Sequence, residues 1–150
     1  MGNSDSSTLF RDCVNKLLNQ EVLSEDHDFW TLVLSVDFSA FDLVNSFPFT
    51  DVHKLKNERH TNFIRLLELC LKTLGSPCGD ASSVQAISNA VKILTRLMPA
   101  SLQDEELLSF WWGENPRAVY LLKNILALMF TPIYAVSNTC LLYTSDAADE

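Results

Sequence analysis

The sequence predicts an all-α protein built from antiparallel helical hairpins, in the manner of a fragment of a HEAT- or armadillo-like solenoid. Apolar residues recur at i, i+3 and i+4 almost throughout the 150-residue chain, and no convincing strand alternation interrupts them. Only 4 glycines and 5 prolines are present, which favours long regular elements. Several segments are apolar on more than one face, as in solenoids, where neighbouring hairpins cover both sides.

Four helical segments are predicted before residue 60. Three apolar stripes carry the first three: Phe10, Cys13, Val14, Leu17 and Leu18; then Phe29, Trp30, Val33 and Leu34; then Phe38, Phe41, Leu43 and Val44. Asp26 or Asp28 is expected to cap the second segment, and Pro48 to close the third. A short polar turn of helix is expected to open at Thr50 or Asp51.

The strongest periodicity runs from about His60 to Leu74 and predicts a helix there. Gly75 predicts a left-handed stop, and Pro77 prevents the helix from continuing. Asp80 is expected to cap the next helix, which should end at Pro99.

Two further helices are predicted in the last third of the chain. The sequence Ser101-Leu102-Gln103-Asp104 resembles a capping box with Asp in the acidic place, and Gly113 should halt the helix that follows. Asn115 then predicts an N-cap with Pro116 at the first helical position, and that helix is expected to run to Phe130.

A charge-free run extends from Asn124 to Ser145. A membrane-spanning helix needs about 20 predominantly apolar residues, and Pro132 with several polar residues interrupts this run. We therefore expect a buried helix over 125–130. The alternative is an integral membrane protein anchored near residues 124–138.

The chain opens with Met1-Gly2-Asn3-Ser4-Asp5-Ser6, which fits the pattern for removal of Met1 and myristoylation of Gly2, with Ser6 supporting the motif. Residues 1–8 are therefore expected to form a flexible acylated N-terminus, the alternative being a disordered polar start. One myristoyl chain binds membranes with only about 10⁴ M⁻¹, so a second attachment is needed. Palmitate on Cys13 would supply one, but its place on an apolar stripe favours a buried thiol.

The last residues, 140–150, look like the translation of a transposase adapter used for sequencing libraries. We interpret them as a processing scar and leave them out of the fold, the alternative being a genuine short polar tail. Residues 1–139 are then expected to be the N-terminal part of a helical-repeat domain that continues past Thr139.

The net charge limits the binding partners expected for the chain, and the cysteine pattern indicates its cellular compartment. The formal net charge is -8, or -5 without the three carboxylates of residues 140–150. An acidic chain without a Lys/Arg cluster is not expected to bind nucleic acid, nor to hold a membrane through a polybasic segment. The four cysteines form no C-x-x-C pair, and no secretory signal opens the chain, which favours a reduced cytosolic setting.

No sequence motif predicts catalysis, a cofactor or a metal. The three histidines are not spaced as metal ligands: His27, His53 and His60. Glu105 and Glu106 are expected in the first turn of a helix, where they complement the helix dipole. Trp111 and Trp112 fit either a binding surface or the core, and core packing is expected for at least one of them. A non-enzymatic protein is therefore predicted.

A family resemblance adds to this interpretation. It is carried, in order along the chain, by Met1–Ser6, Phe10-Arg11, Asp28-Phe29-Trp30, Leu94-Thr95-Arg96-Leu97-Met98-Pro99, Phe110-Trp111 and Phe130-Thr131-Pro132. These residues resemble the high-temperature-induced dauer-formation protein (Hid-1) family, relatives of dymeclin. The resemblance spans most of residues 1–138. The chain departs from the family's pattern over residues 75–81 and in its abrupt end.

The resemblance implies a helical, non-enzymatic scaffold on the cytoplasmic face of Golgi membranes, with a cytosolic pool. It also implies a part in trans-Golgi trafficking and secretory-granule sorting, an acylated Gly2, and other trafficking proteins as partners. A regulatory subunit of a soluble enzyme is the weaker alternative.

Overall fold

The computed structural model describes residues 2–77 and 79–130, and within these ranges the chain forms eight helices and no strand. They are α1 (Gly2–Asn19), α2 (His27–Ser35), α3 (Ala40–Ser46), α4 (Phe49–Glu58), α5 (His60–Leu74), α6 (Ala81–Ser101), α7 (Glu105–Trp112) and α8 (Arg117–Met129). The predicted all-α class is confirmed.

Helices α5 and α6 form the central hairpin, because they are joined by the short segment 75–80 and share the most extensive packing in the fold. Helices α2, α3 and α4 pack against α6, and α1 lies across those three. On the other side, α8 packs against α5, and α7 packs against α8. This succession of helical layers is consistent with the predicted hairpin or solenoid-like architecture.

The core follows the central hairpin. Six of its side chains are almost fully shielded from solvent: Phe63, Leu66, Leu67, Ile87, Ile93 and Leu97. Each such burial stabilises the fold by roughly 1.5–3 kcal/mol relative to exposure. The rings of Phe10 and Phe38, with centroids 4.4 Å apart, extend the core to α1.

Several helix starts are confirmed. Asp26 caps α2 by accepting a hydrogen bond from the Phe29 amide, and Asp80 caps α6 through a reciprocal box with Ser83. The predicted helix over 60–74 has those bounds in the structure. The capping box of Ser39 and Asp42 at α3 was not predicted.

Helix α4 is longer and less polar than predicted. It begins at Phe49, with Pro48 as its N-cap, rather than at Thr50 or Asp51. It continues for 10 residues and buries Val52 and Leu55 completely. These two apolar residues, three positions apart, lie on one face of α4 and pack it on the core.

The predicted left-handed stop at Gly75 is wrong. Gly75 has φ -87° and ψ 0°, and its amide donates to the Lys72 carbonyl at 3.1 Å. The last turn therefore tightens, and a carbonyl at the helix end is bonded without a left-handed residue. A Cβ at position 75 would instead collide with the Tyr120 hydroxyl of α8, so glycine permits close approach of that side chain.

The predicted boundary at Pro99 and the predicted box at Ser101 are also wrong. Helix α6 contains Pro99 and continues to Ser101. Both Ala100 and Ser101 are buried, and their packing holds the last turn although proline removes one backbone donor. The cap of α7 is Asp104, which accepts a hydrogen bond from the Glu106 amide at 3.0 Å.

The first and last helices differ from prediction at their ends. Helix α1 begins at Gly2, so the segment expected to be flexible has helical backbone from residue 2, and its mobility stays a prediction. Pro116 is the N-cap of α8 rather than its first helical residue, and α8 ends at Met129. Both boundaries of α8 therefore lie one residue from their predicted positions.

Candidate lipid-attachment site and its supporting contacts

The candidate acylation site lies at the start of α1, and the N-terminal half of that helix is fixed to α3 and α4. Gly2 and Ser6 belong to α1. At the next residue, the Ser7 hydroxyl lies 3.4 Å from that of Ser46. Arg11 donates to the Ser46 carbonyl at 2.9 Å and forms an ion pair with Asp51. A lipid on Gly2 would therefore be attached to a helix that is held by the folded domain.

The other end of α1 is held by a buried asparagine. Asn62, on α5, is 1% exposed, and its amide nitrogen donates to the carbonyls of Leu17 and Gln20, both at 2.8 Å. Its amide oxygen accepts from the Val22 amide at 2.9 Å. Arg59 donates to the Asn19 carbonyl at 2.9 Å. These bonds satisfy backbone groups that a helix end leaves without intrahelical partners.

A second buried asparagine bonds the C-terminal end of α2 in the same way. Asn89, on α6, is fully buried and donates to the carbonyls of Leu34 and Val36 at 2.6 and 2.7 Å. Gln85, one turn earlier, donates to the Asn89 side-chain oxygen at 3.0 Å. The C-terminal end of α2 is thereby bonded to the central hairpin.

Two basic residues of α6 likewise donate hydrogen bonds to the backbone on either side of α3. Lys92 donates to the Phe38 carbonyl at 3.1 Å, and Arg96 donates to the Phe47 carbonyl at 3.0 Å. None of these cross-helix contacts was predicted. The available signal was a polar residue inside an apolar stripe, at Asn62 and Asn89, but the sequence does not show which carbonyls such a residue will meet.

The weaker lipidation candidate, Cys13, is a buried thiol, as its apolar stripe predicted. It is 3% exposed, and burial, together with the nearby Asp12 charge, raises its pKa to about 11. Cys70 on α5 is also buried, and burial raises its pKa strongly. Cys78 and Cys140 lie outside the described residues.

We expect Cys13 to react with iodoacetamide about 100-fold more slowly in the folded chain than in urea at pH 8. The pKa shift from 9.0 to about 11 keeps the thiol protonated, and the protonated form is not nucleophilic. Peptide-resolved mass spectrometry of labelled chains measures both rates. Equal rates with and without urea would show that the thiol is accessible and would return Cys13 to the lipidation candidates.

The paired glutamates and the paired tryptophans lie where the sequence predicted. Glu105 and Glu106 lie in the first turn of α7. Trp111 is 1% exposed whereas Trp112 is 64% exposed, so one tryptophan of the pair packs in the core, as expected. Over the described part of the chain, no group of three or more His, Cys, Asp or Glu residues is placed to hold a metal ion.

The expectation of a buried helix over 125–130 is wrong. In α8 only Leu128 is buried, whereas several large apolar residues are exposed: Val119, Tyr120, Leu122, Ile125, Leu126 and Met129. Leu121 and Ile125 line one side of an open groove of about 410 Å³ against α6. Helix α8 packs mainly on α5 and α7, and its side chains Leu122, Leu126 and Met129 are left exposed.

The charge-free run is only partly described, since residues 131–138 lie outside the described ranges. Among the helices of residues 2–77 and 79–130, none combines the length and the apolar character needed to cross a bilayer.

The fold and the N-terminal motif define an all-helical protein with a candidate lipid-attachment glycine at the start of its first helix. Residues 1–139 match the sequence profile of the Hid1 family, described as high-temperature-induced dauer-formation protein, and the chain belongs to that family. The predicted family resemblance is thus confirmed.

Two curated relatives are both named Protein HID1. The mouse (Mus musculus) protein is 26% identical over 162 residues, which cover 92% of this chain and 21% of the relative. The human (Homo sapiens) protein is 26% identical over 125 residues, which cover 79% of this chain and 16% of the relative. The chain therefore spans about a fifth of the length of the curated relatives it matches. No solved structure matches it.

Proposed function

We propose that this chain is part of a non-enzymatic, N-myristoylated peripheral membrane scaffold that acts in trans-Golgi trafficking and secretory-granule sorting. The observation that carries the membrane proposal is Gly2 with Ser6 at the start of a helix that is bonded to the folded domain at both of its ends. A lipid there would place the helical domain directly on a membrane surface.

The trafficking role is supported by family membership and by the resemblance that the sequence carries. A helical scaffold presents extended surfaces to partners, and here those partners would be other trafficking proteins on the cytoplasmic face of the Golgi. Two weak contacts, one lipid and one protein, reinforce each other because the second becomes intramolecular once the first has formed. A cytosolic pool follows from the weakness of a single myristoyl anchor.

We expect a clickable myristate analogue to label the wild-type chain in cells and not the Gly2→Ala variant. The new amino terminus must be glycine for the acyl transfer that the opening motif indicates. Membrane fractionation of the same cells should show the variant shifted to the soluble fraction. Asn3→Ala, which changes a position that the motif leaves open, serves as the matched control and should keep both label and membrane association.

Three results would contradict parts of this proposal. An unlabelled wild-type chain would remove the lipid, and a Gly2→Ala variant that stays on Golgi membranes would show that the lipid is not what holds the protein there. A chain that stays in the membrane pellet after carbonate extraction at high pH would favour the integral membrane alternative near residues 124–138.

A further inference from the structure

A single myristoyl chain leaves membrane binding marginal, so stable attachment requires a second contact near the lipid. The surface where α3 meets α4 has the required character. We define the α3–α4 corner as Phe41, Val44, Pro48 and Phe49. We propose that this corner is a second membrane contact that enters the interface of a zwitterionic bilayer beside the N-terminal lipid. This inference rests on the proposed function.

The end of α3, where Pro48 and Phe49 follow, lies beside the N-terminal part of α1, whereas Phe41, at the start of α3, lies about 7.5 Å further along that helix. The Phe38 ring, just before α3, lies 4.4 Å from the Phe10 ring, whereas Ser46, at the other end of α3, lies 3.4 Å from Ser7. The two helices are therefore antiparallel, and α3 ends next to the N-terminal part of α1. Gly2 is five residues before Ser7, or about 7.5 Å along the helix.

The outer face of α3 is apolar and open. Phe41 is 74% exposed and Val44 is 49% exposed, and their i, i+3 spacing places them on one face. Leu43 is buried on the opposite side, so this short helix is apolar both towards the core and towards solvent. Phe49 adds a second aromatic ring that is 44% exposed. Exposed apolar side chains beside a lipid anchor favour shallow insertion at the boundary between headgroups and acyl chains.

The charges around the corner favour a neutral bilayer over an anionic one. The Arg96 guanidinium already lies 4.0 Å from the centre of the Phe49 ring and donates to the Phe47 carbonyl. Arg11 is paired with Asp51. Both guanidinium groups thus have partners within the protein, and the chain as a whole carries a formal charge of -8. Anionic lipids should therefore add little to binding, in contrast to polybasic membrane contacts.

The test uses the 150-residue chain, acylated by N-myristoyltransferase, and phosphatidylcholine vesicles. We expect the acylated chain to bind at least tenfold more tightly than an acylated peptide of residues 2–9, in vesicle sedimentation. The double variant Phe41→Ser with Val44→Ser should bind about tenfold more weakly than the wild type. Adding phosphatidylserine to the vesicles should not strengthen binding of the wild-type chain.

The matched control is Leu122→Ser with Leu126→Ser, two exposed apolar residues of α8 with 59% and 47% exposure. This variant removes a similar exposed area and should bind like the wild type. Circular dichroism checks that both double variants remain folded, as expected for substitutions of exposed side chains. Equal binding by the corner variant and the wild type, or an equal loss in the control, would overturn the proposal.

The experiment distinguishes a failure to acylate Gly2 from a failure of the α3–α4 corner to bind the membrane. Intact mass shows whether the enzyme has acylated Gly2, and an unchanged mass would contradict the proposed function only. A chain that carries a synthetic myristoyl group at its N-terminus would then still test the corner. A wild-type chain that dimerises through the corner, and binds vesicles no better than the peptide, would overturn the proposal and assign the surface to a second copy.

Discussion

Replacing Trp111 with alanine is expected to lower the free energy of unfolding by about 3–5 kcal/mol, the usual cost of removing a large buried aromatic side chain. Trp111 is 1% exposed, and its ring packs edge-on against Phe110 with centroids 5.2 Å apart. Its indole nitrogen donates to the Ser101 hydroxyl at 3.0 Å. The variant therefore loses packing between α7 and the end of α6 together with a buried hydrogen bond.

The neighbouring residue provides the control for this experiment. Trp112 is 64% exposed, and Trp112→Ala should change the free energy of unfolding by no more than about 0.5 kcal/mol. Urea unfolding followed by far-ultraviolet circular dichroism measures both variants without relying on tryptophan fluorescence. Equal losses of stability in the two variants would contradict the assignment of Trp111 to the core and Trp112 to the surface.

A Trp111→Phe variant removes the indole donor but only part of the ring packing. Phenylalanine keeps an aromatic ring in the site and removes the indole donor, while the Ser101 hydroxyl still donates to the Met98 carbonyl at 2.8 Å. The lost hydrogen bond alone should cost about 1 kcal/mol, so most of the effect of Trp111→Ala is expected to be packing.

Much of the fold was predictable because periodicity and capping act locally. The helix over 60–74 and the caps at Asp26 and Asp80 follow from residues within a few positions of one another. The predicted helix boundaries are wrong where contacts between residues distant in sequence determine where a helix ends. Pro99 remains inside α6 because Ala100 and Ser101 are buried by other helices, and no local rule shows that burial.

The exposed apolar face of α8 is a second feature that sequence periodicity could not predict. An apolar stripe predicts that a helix has a face able to pack, but it does not predict which neighbour covers that face. The chain spans about a fifth of the length of its curated relatives, and the apolar residues of α8, such as Leu122 and Leu126, are exposed in the structure of this chain. The candidate lipid site, in contrast, is predicted from sequence alone, because enzymes read such motifs as linear segments.

The supporting contacts of α1 could not be predicted for a different reason. Asn62 binds the carbonyls of Leu17 and Gln20 across more than forty residues of sequence. Its side chain is short and polar within an apolar stripe, which indicates only that some buried partner exists. The partner is set by how α5 packs near the end of α1, and that is a property of the tertiary fold.

Asn62→Ala is expected to lower the free energy of unfolding by about 2–4 kcal/mol, because it leaves buried backbone groups of residues 17–22 without their partners. The alanine side chain can neither donate to the Leu17 and Gln20 carbonyls nor accept from the Val22 amide. Urea unfolding measures the loss, and hydrogen exchange should show a faster rate at the Val22 amide.

Asn57→Ala is the matched control, since Asn57 is an exposed asparagine on the adjacent helix α4. It should change the free energy of unfolding by no more than about 0.5 kcal/mol. If both variants unfold at the same urea concentration, Asn62 does not hold the end of α1. A selective loss in Asn62→Ala would instead show that this buried side chain helps to fasten the helix proposed to carry the lipid to the central hairpin.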